Sequence, residues 1–144
     1  ALRGKAVLSN FCNGKKAFDA NNGSYEMVVN VRQATAGKCT ITLQNSKDEA
    51  VSIIYDVQLA TLCVDRTKSG DSTFNNAFSA VTTAPIHGKL TTLHIFVDKS
   101  SIEVLDNEGR VSITNTIFPS DPYSLLNINN TKGCKISATV YKIK

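Results

Sequence analysis

The chain has 144 residues, 42% of them hydrophobic and 19% charged, with a formal net charge of +4. That is enough for one domain that buries its own core, and residues 1–144 are expected to form one. The basic residues are scattered apart from Lys15-Lys16 and the last lysines, so the clustered patch of a nucleic-acid binder is missing, and no apolar run approaches the ~20 residues of a membrane span.

The opening Ala1-Leu2-Arg3-Gly4-Lys5 lacks the hydrophobic stretch of a signal peptide, and a start without Met suggests a processed or excised piece. From Tyr25 onward, period-2 alternation dominates. Tyr25, Met27, Val29 and Val31 alternate with Glu26, Asn30 and Arg32, then Cys39, Ile41 and Leu43 with Thr40, Thr42 and Gln44. Each run reads as a strand with one wet face. Val51, Ile53 and Tyr55 continue the pattern, followed by Leu93, Ile95 and Val97, by Ile102 and Val104, by Val111 and Ile113, and by Ile136, Ala138 and Val140.

Polar turn sequences separate these runs: Asn21-Asn22-Gly23, Ala36-Gly37-Lys38, Asn45-Ser46-Lys47-Asp48, Lys68-Ser69-Gly70-Asp71, Asp106-Asn107-Glu108-Gly109 and Thr131-Lys132-Gly133. About ten short strands with no helical periodicity predict an all-β fold, a two-sheet antiparallel sandwich of jelly-roll type. The stretch from Ser69 to Lys89, with Pro85, Phe74 and Phe78, reads as irregular. A loop that long in a compact domain packs on something or serves a function.

The four cysteines, Cys12, Cys39, Cys63 and Cys134, form no Cys-x-x-Cys pair. Buried free thiols are the default expectation, with one or two disulfides as the alternative if the protein is exported. His87 and His94 are the histidines; no Gly-x-Ser-x-Gly elbow, phosphate-binding glycine loop or metal-ligand spacing accompanies them. No cofactor or metal is expected. Of the acidic residues, Asp65, Asp98, Glu103 and Asp106 form the one suggestive set for the paired carboxylates of glycoside hydrolysis. The competing assignment gives the aspartates to turn amides and Glu103 to a cross-strand ion pair with Arg66. Asn22-Gly23-Ser24 and Asn129-Asn130-Thr131 match glycosylation sequons, which recur by chance.

Two segments carry a more specific likeness: Leu62-Cys63-Val64-Asp65-Arg66-Thr67-Lys68-Ser69-Gly70 and Leu93-His94-Ile95-Phe96-Val97-Asp98-Lys99-Ser100-Ser101-Ile102-Glu103-Val104. With Phe74-Asn75-Asn76-Ala77-Phe78, Ala84-Pro85-Ile86 and Asn107-Glu108-Gly109-Arg110 leading to Thr116-Ile117-Phe118-Pro119, in that order, the chain resembles the C-terminal domain of glycoside hydrolase family 32. That family comprises invertases, levanases, inulinases and related β-fructosidases. Leu105 stands where the family usually has Phe, which keeps the position apolar without the ring.

The resemblance implies a β-sandwich behind a separate five-bladed propeller that performs the catalysis. The family's nucleophile motif, its Arg-Asp-Pro and its Glu-Cys do not occur: the chain lacks Trp, its Asp121-Pro122 follows Ser120, and no cysteine follows a glutamate. The expected role is thus non-catalytic, with the propeller of the same polypeptide as partner. On that view the isolated chain should show an unusually large apolar surface patch. The alternative implied by related sandwiches is a module that holds terminal fructose of levan or inulin, through Asp65, Arg66, Asp98, Ser101 and Glu103, with Arg66 and Glu103 meeting across neighbouring strands. Family analogy favours an extracellular or periplasmic location.

Overall fold

In the computed structural model, residues 3–69, 81–106 and 110–144 are described. Among them run twelve strands: β1 (Arg3–Phe11), β2 (Gly14–Ala17), β3 (Tyr25–Ala34), β4 (Lys38–Gln44), β5 (Ala50–Asp56), β6 (Thr61–Lys68), β7 (Val81–Pro85), β8 (Thr92–Val97), β9 (Ser101–Asp106), β10 (Ser112–Thr116), β11 (Leu125–Asn129) and β12 (Cys134–Ile143). They form two six-stranded sheets. Sheet A has the order β1-β12-β3-β8-β9-β10 and sheet B the order β2-β11-β4-β5-β6-β7, with every pairing antiparallel.

Alternation decides which side chains face inward, because successive residues of a strand point to opposite faces. Tyr25, Met27 and Val29 of β3, Ile95 of β8 and Ile102 and Val104 of β9 come from sheet A; Leu43, Val51, Leu62 and Val64 come from sheet B, and all are fully buried. The predicted sandwich is therefore the observed architecture. Side chains at the β4–β5 and β5–β6 turns bond to local amides. Asn45 closes the β4–β5 turn by accepting the amides of Lys47 and Glu49, and Asp56 accepts the amide of Leu59 in the β5–β6 turn. Gly37, at φ +78°, supplies the left-handed residue of the β3–β4 turn.

Three features differ from the sequence expectations. The stretch read as irregular ends in β7, an edge strand whose Val81-Thr82-Thr83-Ala84-Pro85 lacks a clean apolar alternation. Residues 70–80 of that stretch, including Phe74 and Phe78, lie outside the described residues, as does Asn107-Glu108-Gly109. Strands β1, β2 and β11 lie where the sequence shows no clear alternation. β1 and β2 are edge strands with little buried surface, and β1 meets β12 through repeated register shifts that break its period.

The third correction concerns the cysteines. Cys39 on β4 and Cys134 at the start of β12 are not free thiols but a disulfide, with their Cα atoms 5.6 Å apart, joining sheet B to sheet A inside the core. Their sequence separation of 95 hid the pairing, since only the topology brings the start of β12 over β4. Cys12, exposed, and Cys63, half-buried, keep free thiols.

Candidate functional site

The five residues singled out for sugar recognition do not form one site. Asp65 and Arg66 are successive residues of β6 and point to opposite sides of sheet B. Asp65 turns outward, and its Oδ1 accepts the Thr67 amide at 3.0 Å and the Thr67 hydroxyl at 2.8 Å. Arg66 turns inward, is 7% exposed, and its Nη1 donates to the Thr116 carbonyl at 2.6 Å, tying β6 to β10 of the other sheet. Glu103 projects from the outer face of sheet A, away from the core that Arg66 enters. Arg66 and Glu103 therefore do not meet across neighbouring strands, which removes both the proposed bidentate sugar clamp and the alternative ion pair. The sequence pattern misled because β6 and β9, adjacent as signatures, belong to different sheets.

Asp98, Ser101 and Glu103 do converge. They line an open groove of about 440 Å³ on the outer face of sheet A with Phe96, Thr114 and Ile143. Asp98 sits in the β8–β9 turn, where its Oδ1 accepts the Lys99 amide at 2.7 Å and its own amide donates to the Ser101 carbonyl at 2.9 Å. Glu103 accepts one long bond, 3.4 Å, from the Thr114 hydroxyl. Val97 and Asp98 also border a second hollow of about 330 Å³ at the end of the sandwich, walled by Asn22, Lys99, Pro119 and Asp121. Asp106 lies elsewhere, accepting the amides of Arg110 and Val111 in the turn that follows β9. Asp98 and Asp106 thus bond turn amides, as the competing assignment expects, while Asp65 bonds Thr67 within β6 itself.

A second charged cluster lies on the same outer face. Glu26 is 5% exposed although it points away from the core. Arg3 grips its carboxylate with two bonds of 2.8 and 2.9 Å, and His94 Nδ1 lies 3.1 Å from Oε2. The Arg3 guanidinium also rests 4.4 Å from the centroid of the Tyr141 ring. Hydrogen bonding from Arg3 holds the Glu26 carboxyl below the usual carboxylate range; burial opposes this and His94 reinforces it. The same pairing raises Arg3. No sequence signal announced the cluster, because its members come from β1, β3 and β8, which only the strand order, with β12 between β1 and β3, brings within reach of one another.

Tyr25 donates to the Tyr123 carbonyl at 3.0 Å, and the Tyr123 hydroxyl donates to the Ser69 carbonyl. Burial pushes both phenols well above their ordinary value. Among the described residues, no group of three or more histidine, cysteine or acidic side chains is placed to hold a metal, and no helix is long and apolar enough to cross a membrane.

Comparison with known proteins fixes the lineage of this fold. The family model described as "Glycosyl hydrolases family 32 C terminal" matches residues 2–144. The chain belongs to that family. As a family 32 C-terminal domain, it is 33% identical over 120 residues to the levanase of Bacillus subtilis, covering 79% of this chain and 18% of the levanase. It is 44% identical over 70 residues to an extracellular exo-inulinase of Aspergillus niger, covering 46% of this chain and 13% of that protein. The crystal structure of the Aspergillus awamori exo-inulinase superposes with a TM-score of 0.76 at 26% identity, over 96% of this chain and 28% of the inulinase. The sucrose-6-phosphate hydrolase of Lactobacillus gasseri shares the fold, with a TM-score of 0.72 at 24% identity over 99% of this chain and 29% of that enzyme. The family 32 domain thus spans less than a third of the relatives it matches.

Proposed function

We propose that the chain is the non-catalytic C-terminal module of a β-fructosidase, packing against and stabilising the catalytic β-propeller of the same polypeptide. That parent would hydrolyse β-fructofuranosides, of the kind named in its relatives: levan, inulin or a sucrose derivative. The observation carrying the proposal is that the family match takes up nearly the whole chain while the chain takes up only 28% of the exo-inulinase it superposes on. Glycosidic cleavage by this chemistry needs two carboxyl groups flanking one bond. Asp65 and Asp106 are instead held by backbone amides and Glu26 by Arg3, which supports placing the reactive pair in another module.

A parent polypeptide prepared with and without residues 1–144 tests this. Removal is expected to shorten the half-life of sucrose, inulin or levan hydrolysis on heating; an unchanged half-life contradicts the stabilising role. An oxidising location, extracellular or periplasmic, is supported by the buried Cys39–Cys134 pair, since cystines persist outside reducing compartments.

A second reading, fructose binding, draws support from the convergence of Asp98, Ser101 and Glu103 beside the Phe96 ring. Carboxylates and a hydroxyl beside an aromatic face suit a polyhydroxylated ring. Asp65 and Arg66 take no part in that version. Calorimetric titration of levan- and inulin-type oligosaccharides into the chain separates the two: heat lost in Glu103→Ala favours binding, and no heat favours the packing role alone.

A further inference from the structure

The two outer faces of the sandwich differ in chemistry. On sheet B, hydroxyl and amide groups prevail outward: Thr40 and Thr42 on β4, Ser52 on β5, Asn127 and Asn129 on β11, around Ile54 and Leu125. On sheet A, the pairing register aligns Tyr141, Glu26, Phe96, Glu103 and Thr114 in one row across β12, β3, β8, β9 and β10. The adjoining row carries Val28, His94 and Leu105. Tyrosine, phenylalanine and arginine anchored among half-buried aliphatics is the composition that protein interfaces concentrate at their centres. Among the described residues, the large apolar side chains that stand exposed, Leu59, Val81 and Phe118, belong to three separate segments and form no comparable row.

Charge on this face is arranged for covering. Glu26 is already 5% exposed and ion-paired with Arg3, so covering it removes little further water from its carboxylate. Glu103 has a single long bond and Asp98 one turn amide, which leaves acceptor positions pointing into the groove. A partner with arginine, lysine or amide donors satisfies them.

The chain's own connectivity says which partner. Arg3 pairs with Ile143 at the same end of sheet A as Ser24, Asp98 and the groove. Two residues reach at most about 7 Å, so whatever precedes Arg3 in a longer polypeptide arrives beside Tyr141 and this row. We infer that the outer face of sheet A, at this end, is where the preceding catalytic module seats, with hydrogen-bond donors of that module opposite Glu103 and Asp98. The inference rests on the reading proposed above and adds to it the surface and its chemistry.

Hydroxyl-radical footprinting read by mass spectrometry, on the isolated chain and on the longer polypeptide, tests it. Oxidation of Phe96, Tyr141 and Leu105 is expected to fall several-fold in the longer polypeptide, with Ile54 and Leu125 unchanged. Protection of Ile54 and Leu125 with Phe96 and Tyr141 still reactive overturns the surface while leaving a packed module. Protection of neither face sinks the packing role as well. Protection of Phe96 in the isolated chain by levan- or inulin-type oligosaccharides, with none from the longer polypeptide, assigns the groove to sugar and overturns the inference. A charge reversal, Glu103→Lys, supplies a second readout: it is expected to lower the melting temperature of the longer polypeptide and leave that of the isolated chain in place. An equal shift in both contradicts docking at Glu103.

Discussion

Opening the Cys39–Cys134 bond is the perturbation whose size follows most directly from the fold. The bridge closes a loop across a separation of 95 residues and clamps β4 of sheet B to β12 of sheet A. In the chain-entropy treatment a loop of that order restricts the unfolded ensemble by about 4.7 kcal/mol at 25 °C. Spread over an unfolding entropy of about 2.1 cal/mol/K per residue, this amounts to a melting temperature lower by roughly 15 °C. The comparison is between the oxidised chain and the Cys39→Ala/Cys134→Ala variant, by scanning calorimetry, with Cys12→Ala as a control that leaves the melting temperature in place. Thiol counting in denaturant accompanies it and is expected to find the thiols of Cys12 and Cys63 alone in the untreated chain. A shift of only a few degrees, or reactive thiols at Cys39 and Cys134 in the untreated chain, refutes the inter-sheet clamp.

Arg66→Ala removes a charge-assisted bond between the sheets and should cost about 1.5–3 kcal/mol in urea melts, without changing any oligosaccharide titration; a loss of sugar binding with full stability would reverse that assignment. Glu26 has a depressed folded-state pKa, so its contribution is present above the unfolded value of about 4.3 and is lost as pH falls through the folded one. Glu26→Gln should therefore be less stable at neutral pH and show a flatter stability profile on acidification; parallel profiles for the two proteins contradict the Arg3–Glu26 pairing. Gly133→Ala places a Cβ 2.7 Å from the Ala36 carbonyl oxygen, a backbone clash where the β11–β12 turn meets the β3–β4 turn. A cost of about 1–3 kcal/mol is expected in the same melts, and a neutral effect means that the two turns move apart freely.

Much of the fold was legible because sheets with one buried face write their period into the sequence. β3, β4, β5, β8, β9 and β12 all announce themselves that way, and their turns carry the asparagine, aspartate and glycine that such reversals require. The strands that escaped, β1, β2, β7 and β11, either sit at a sheet edge or, like β11, begin with adjacent leucines that blur the alternation. The candidate site was only half legible. Asp98, Ser101 and Glu103 lie within six residues and share one hairpin, so the local pattern alone groups them on one groove. Arg66 was assigned to the wrong side because period 2 says that neighbours oppose each other but not which of them turns inward. Turned inward, it meets the Thr116 carbonyl across the core. The Arg3–Glu26–His94 cluster and the disulfide are products of strand order, a property that no local window contains.

A polypeptide without the reactive carboxylates of a β-fructosidase releases no fructose by itself, and direct assay tests that most simply. Purified residues 1–144, incubated with sucrose, inulin and levan beside an exo-inulinase control, are expected to release no fructose above the buffer blank. Turnover that copurifies with the chain and disappears in Asp98→Asn or Glu103→Gln would contradict it.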